Sequence, residues 1–249
     1  MVNQATASRK TSTMVTSTAM PVVLALLLQC VGCSHSSSGS TPPTEDSGDC
    51  FSMLMQTSAR LGLEEPLEYE AALEDIRRES RSPENPELVV LRLAVRHSWG
   101  TLNACLLQLH EESAGEAVPP MLALVMDVGM CTSEQSQAAL NRAFLAGDER
   151  RLALYALGLP TDEDKRRALM ALDALPPRET DYDGVLAQIL RDAMQISMGP
   201  AGGSPMRREL QKTVLGILLK LGKIDTTELE AFLACESERP RFRPFVAGH

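Results

Sequence analysis

Apolar residues recur at helical spacing along most of the chain from residue 50 onward. In the segment 186–194, one helical face carries only apolar side chains: Leu186, Ile189, Leu190, Ala193 and Met194. The segment ELQKTVLGILLKLG (209–222) has the same periodicity. No stretch alternates apolar and polar residues for long enough to predict a β-strand. The pattern therefore predicts an all-α fold.

Helix boundaries are marked by residues that cap helix ends. Starts are predicted where a capping residue is followed by a suitable partner: Thr132 with Gln135, Thr161 with Asp164, Ser204 with Pro205, and Asp225 with Glu228. Gly222 is a predicted C-cap. Proline and glycine predict breaks at 82–86, 118–120, 159–160, 175–179 and 199–205. These signals divide the chain into roughly ten antiparallel helices of about 10–18 residues.

Short segments of similar sequence recur along the chain and raise the question of a helical repeat. EAALEDIRR (70–78) resembles QAALNRAFL (137–145), which lies 67 residues later. DERRLALYAL (148–157) resembles DKRRALMALD (164–173), which lies 16 residues later. These recurring segments loosely resemble tetratricopeptide and HEAT proteins, which stack helix pairs of about 34–47 residues. That resemblance implies a short helical-repeat array, and an irregular helical bundle is the alternative.

The N-terminus has the layout of an export signal. Arg9 and Lys10 precede the apolar run AMPVVLALLLQCVG (19–32), which is shorter than the roughly 20 apolar residues of a membrane span. Its end, CVGC, resembles the lipobox of bacterial lipoproteins. The resemblance implies removal of residues 1–32, a lipid on Cys33, and, because Ser34 follows, an outer-membrane location facing the periplasm. An ordinary cleaved signal and an uncleaved anchor are the alternatives.

Three further segments follow the signal. Residues 33–49 are rich in Ser, Gly and Pro and are predicted to be a flexible tether. Residues 50–237 are predicted to form the helical domain, and residues 238–249 a basic and aromatic tail. The formal net charge is −9, which disfavours binding to phosphate backbones, so no nucleic-acid partner is expected.

Four cysteines remain after the proposed lipidation site. Cys50, Cys105, Cys131 and Cys235 are disulfide candidates in an exported chain, with three ways to pair. Cys105 lies on an apolar helical face, so a buried free thiol is its alternative. No Cys and His spacing resembles a zinc site, and neither a metal ion nor a cofactor is predicted.

Catalytic motifs are missing from the sequence. It contains no GxSxG or Ser-x-x-Lys motif, and HEES (110–113) lacks the second histidine of a zinc-protease helix. We therefore expect a non-enzymatic protein, with an envelope enzyme that acts on the cell wall through an unrecognised site as the alternative.

The residues predicted to bind a partner are aromatic and basic. Trp99 is one, with core packing as the alternative. The tail supplies the others, in a proline-rich stretch that cannot be helical: Arg239, Arg241, Phe242, Arg243 and Phe245. Either the tail is a frayed end, or it docks in an acidic groove of this chain or of a partner. The sequence thus predicts a lipid-anchored scaffold or assembly factor for another envelope protein, for example a pilotin-like one.

Overall fold

Eleven α-helices account for the regular structure in the part of the chain that the computed structural model describes. That part comprises residues 46–82, 84–112, 118–176, 180–197 and 204–237, all within the unit that begins at Thr44. The first six helices are α1 Asp46–Arg60, α2 Tyr69–Glu79, α3 Pro86–Arg96, α4 Trp99–Glu111, α5 Val118–Gly129 and α6 Ser133–Ala146. The other five are α7 Glu149–Gly158, α8 Asp162–Asp173, α9 Tyr182–Ser197, α10 Pro205–Lys220 and α11 Thr226–Ser237. The predicted all-α fold is confirmed.

Capping residues act at the positions that the sequence predicted. The Thr132 hydroxyl accepts a hydrogen bond from the backbone N–H of Gln135 at 3.3 Å, and the Gln135 side chain accepts one from the backbone N–H of Thr132 at 2.9 Å. Asp225 and Glu228 make the same reciprocal pair at 2.8 and 3.2 Å. At Gly222, φ is +66°, which is the left-handed conformation of a helix C-cap.

Two boundaries differ from the predicted ones. The prolines at 119 and 120 do not lie in a break between helices, because α5 begins at Val118 and holds both in its first turn. A proline there gives up only an N–H that would have no partner within the helix. Helix α1 begins at Asp46, ahead of the predicted domain boundary at residue 50.

Alternate helices form a closed inner ring. Helix α3 packs on α5, α5 on α7, α7 on α9, and α9 on α3. Their first residues, Pro86, Val118, Glu149 and Tyr182, are spaced by 31 to 33 residues. Four of the five even-numbered helices pack against this ring, with α4 on α5, α6 and α8 on α7, and α10 on α9, whereas α2 packs on α4.

Burial differs sharply between α7 of the ring and α6 outside it. Every residue of α7 from Leu152 to Gly158 is buried, whereas α6 buries only Ser136, Leu140 and Ala143. A helix apolar on all sides belongs in an interior, and one with a narrow apolar stripe belongs at the surface.

The spacing of the inner helices gives the chain a repeat-like order. Ring closure and the contacts of α1 with α9 and α11 nevertheless join elements far apart in the chain. An open array makes contacts only between neighbouring repeats, so these contacts favour the bundle over the array.

None of the described helices is long and apolar enough to cross a lipid bilayer.

Candidate functional site

A cleft of about 480 Å³ opens between α2, the end of α3 and the segment 61–68 that joins α1 to α2. We call it the α2–α3 cleft. It is lined by acidic, basic and small apolar residues: Glu64, Glu65, Leu67, Ala71, Glu74, Asp75, Arg78, Arg96 and His97.

A buried histidine–aspartate pair forms the inner wall of the cleft. Nε2 of His97 lies 2.8 Å from Oδ2 of Asp75, and the two residues are only 5% and 7% exposed. Arg78 donates to the other oxygen of the Asp75 carboxylate, and the Arg96 guanidinium lies 3.6 Å from Oδ2. Asp75 therefore fixes the orientation of the imidazole, which is the arrangement that a carboxylate gives to a histidine in many catalytic sites.

Sequence reasoning missed this pair. In the sequence, His97 resembles an ordinary histidine at the end of a helix, and no motif includes Asp75. The two residues lie 22 positions apart, on α2 and just after α3, so no local motif joins them. The one available signal is that an aspartate on the same face as buried Ala72 and Ile76 must find a buried partner.

Arg191 of α9 holds the backbone on both sides of the cleft. Its side chain is buried, and its guanidinium donates to the carbonyl of Glu64 at 2.9 Å and to the carbonyl of Arg96 at 2.8 Å. Helix α9 approaches α3 closely because Gly184 has no side chain, since a Cβ there would lie 2.6 Å from Cγ1 of Val95. The cleft is therefore built on a fixed backbone.

The outer edge of the cleft is acidic and exposed. Every residue from Glu64 to Ala71 is exposed, including Leu67 at 48% and Tyr69 at 44%. We call the following set the acidic lip: Glu64, Glu65, Leu67, Glu68, Tyr69, Glu70 and Glu74. Five carboxylates surround two apolar side chains, so the surface is suited to a ligand that is both basic and apolar.

Hydrogen bonds to α4 hold the lip in place. The Tyr69 hydroxyl donates to the Gln108 side chain at 3.1 Å, and Gln108 donates to Glu112 at 2.9 Å. Arg77 then bridges Glu112 at 2.8 Å and Glu74 at 2.7 Å. The hydrogen bonds from Gln108 and Arg77 lower the pKa of Glu112. The lip thus has a defined conformation before any ligand arrives.

Trp99 packs inside the fold close to this cleft. It is half-buried, and its ring lies against Gly158 at the end of α7, with Nε1 3.2 Å from the position of a Cβ on Gly129. A Cβ on Gly158 would overlap the indole ring. This contact corresponds to core packing, which was the alternative to partner binding for Trp99.

The cysteines are only partly covered by the described residues. Cys105 is a free, buried thiol, and burial raises the pKa of the Cys105 thiol. Cys131 is also free, and its thiol donates to the carbonyl of Asp127 at 3.1 Å. Cys105 and Cys131 therefore form no disulfide with each other, and any pairing that involves Cys50 or Cys235 stays a prediction.

The remaining predicted site residues lie outside the described part of the chain. They are Cys33, the side chains of Cys50 and Cys235, and the tail residues Arg239, Arg241, Phe242, Arg243 and Phe245.

A second charged region lies between α8, α9 and α10. Arg207 donates two hydrogen bonds to the Asp162 carboxylate, at 2.9 and 3.1 Å. Asp192 accepts from Gln188 at 2.8 Å and is attracted by Lys165. Burial raises the pKa of Asp192 and lowers the pKa of Lys165. We call Asp162, Lys165, Asp192 and Arg207 the α8–α10 charge cluster, and we assign it to helix packing because its charges face one another between helices.

Within the described residues, no group of three or more His, Cys, Asp or Glu side chains is arranged to hold a metal ion. No protein-family model, curated protein or solved structure matches the chain.

Proposed function

We propose that this chain is a lipid-anchored protein of the cell envelope that binds another envelope protein through the acidic lip. The observation that carries the proposal is the exposure of Leu67 and Tyr69 between glutamates, on a backbone held by Arg191 and α4. Protein interfaces commonly combine an apolar or aromatic anchor with a charged rim that steers the partner.

The chemistry of the lip defines the partner. Its surface should be basic and should offer an apolar side chain that packs on Leu67 or Tyr69. The protein would act as a scaffold or assembly factor, of which a pilotin-like escort is one form. The lipid on Cys33 would hold it at the outer membrane, facing the periplasm.

The anchoring step has its own test. We expect wild-type protein made in a Gram-negative host to carry the mass of the lipid and to enter detergent, and Cys33→Ala to do neither. If both proteins stay in the aqueous phase, the lipid anchor is wrong, while binding through the lip stays open to test.

Partner binding is tested with matched leucine variants. Leu67→Asp places a charge on the lip, and Leu145→Asp does the same on α6, at a leucine that is 86% exposed. We expect a partner that co-purifies from solubilised envelopes with wild type and Leu145→Asp to be lost with Leu67→Asp. Because the rim is charged, about 0.5 M salt should also weaken retention. Equal retention by all three proteins would contradict the lip as the binding site.

The His97–Asp75 pair supports one second candidate, an enzyme that acts on the cell wall. With Asp75 holding the imidazole, His97 would act as a general base, and Arg78 and Arg96 would bind an anionic group of the substrate. Purified protein incubated with peptidoglycan would then release new fragments. His97→Gln would abolish them, and His110→Gln, at an exposed histidine on α4, would not. The absence of fragments from wild type would remove this candidate.

A further inference from the structure

We infer that the acidic lip binds the C-terminal tail of the same chain, residues 238–249. The tail then covers the surface that we propose for the partner, and the partner must displace it. The inference does not require that a partner exists.

Charge and apolar character match between the two segments. The lip offers five exposed glutamates around Leu67 and Tyr69. The tail, ERPRFRPFVAGH, offers Arg239, Arg241 and Arg243 together with Phe242 and Phe245. Its two prolines exclude a helix, and arginines at every second position of an extended chain project to one side. An arginine of the tail can therefore pair with the exposed glutamates while a phenylalanine packs on the lip.

The tail starts within reach of the lip. Arg60, the last residue of α1, forms a 2.7 Å ion pair with Glu228 in the first turn of α11. The lip begins four residues after Arg60, at Glu64. Helix α11 is about 18 Å long, and an extended tail of twelve residues spans up to about 40 Å. Running back along the whole of α11 takes about five residues, so the tail can do so and still bring Arg243 and Phe245 to the lip.

Self-binding fits a protein that must stay unoccupied until it meets its partner. A segment of the same chain is present at a high effective concentration, so a weak contact is enough to cover the lip. A partner with a stronger basic and apolar segment would release the tail.

The test is photo-crosslinking in the purified full chain, with no partner present. The photoreactive residue p-benzoylphenylalanine replaces Leu67 on the lip or, as the control, Leu145 on α6. We expect position 67 to crosslink to residues 238–249 at the mass of a monomer, and position 145 not to do so. The yield should fall at least about fivefold near 0.5 M salt, where the Debye length is about 4 Å.

Charge variants decide whether the pairing is specific. Changing Glu64, Glu65, Glu68 and Glu70 to Arg should remove the crosslink, and so should changing Arg239, Arg241 and Arg243 to Glu. Combining both sets should restore it. Circular dichroism checks that each variant remains helical.

Three results would overturn the inference. They are equal tail crosslinking from positions 67 and 145, no crosslink from position 67 to the tail, and a crosslink found only at the mass of a dimer. The last would assign the tail to the lip of a second copy. No partner protein is present in this experiment, so its failure would not contradict the proposed partner binding. Failure of the partner test would likewise not contradict this inference.

Discussion

The two charged regions of the molecule use charge in opposite ways. In the α8–α10 charge cluster, Arg207 and Asp162 are only 18% and 13% exposed, and each charge faces one of opposite sign on a neighbouring helix. In the acidic lip, Glu74 pairs with Arg77, but Glu64, Glu65, Glu68 and Glu70 form no ion pair among the described residues. Matched, enclosed charges fix how helices pack. Exposed charges of one sign beside apolar side chains add little to packing and leave a surface for binding.

Removing an ion pair from the α8–α10 charge cluster should have the largest effect on the free energy of unfolding. Arg207→Met removes the two hydrogen bonds to Asp162 and leaves that carboxylate in a largely buried site. Removing one partner of a fully buried pair costs about 3–5 kcal/mol, so for this slightly exposed pair we expect a loss of about 2–3 kcal/mol. Urea unfolding followed by circular dichroism measures it.

The matched control lies on the same helix. Lys212→Met removes a 3.1 Å ion pair with Glu209 whose two side chains are 54% and 55% exposed. An exposed pair contributes little, so we expect a change within about 0.5 kcal/mol. Equal losses in the two variants would mean that burial does not distinguish the α8–α10 charge cluster from surface charge.

A smaller loss of stability is expected when the contact between Gly158 and Trp99 is overpacked. Gly158→Ala places a methyl group where the ring of Trp99 lies, two residues after His97. Overpacking of this kind costs about 1–3 kcal/mol. Because Trp99 is the single tryptophan of the chain, its fluorescence emission should shift as well.

Gly216→Ala is the control for this substitution. Gly216 lies inside α10 with nothing within 4 Å of an added Cβ. Alanine there should stabilise the protein by about 0.5–1 kcal/mol through helix propensity. If Gly158→Ala also stabilises, the packing of Trp99 against α7 is wrong.

The helices could be predicted from the sequence because their signals are local. Periodicity gave the all-α fold, and the capping pairs at Thr132 and Asp225 form the hydrogen bonds expected of them. The inner ring could not be predicted in the same way. It depends on which helices meet, and the contact of α3 with α9 joins segments that share no sequence signal.

The candidate site was harder to predict for the same reason. His97 and Asp75 come from different elements, and Arg191 holds Glu64 across 127 positions of sequence. The glutamates from 64 to 74 were visible in the sequence, but acids near a helix start also stabilise the helix dipole. The proposal that they form a binding surface rests on the exposure of Leu67 and Tyr69 among them, which a structural role does not require.

The smallest effect on stability is expected at the lip itself. Changing Glu64, Glu65, Glu68 and Glu70 to Gln removes four exposed charges without changing side-chain size. Loss of the helix-dipole interaction at Glu70 and relief of repulsion among the other carboxylates are both small and opposite in sign. We therefore expect the free energy of unfolding to change by no more than about 0.5 kcal/mol. A loss as large as that of Arg207→Met would show that the lip supports the fold, and the contrast between the two charged regions would then fail.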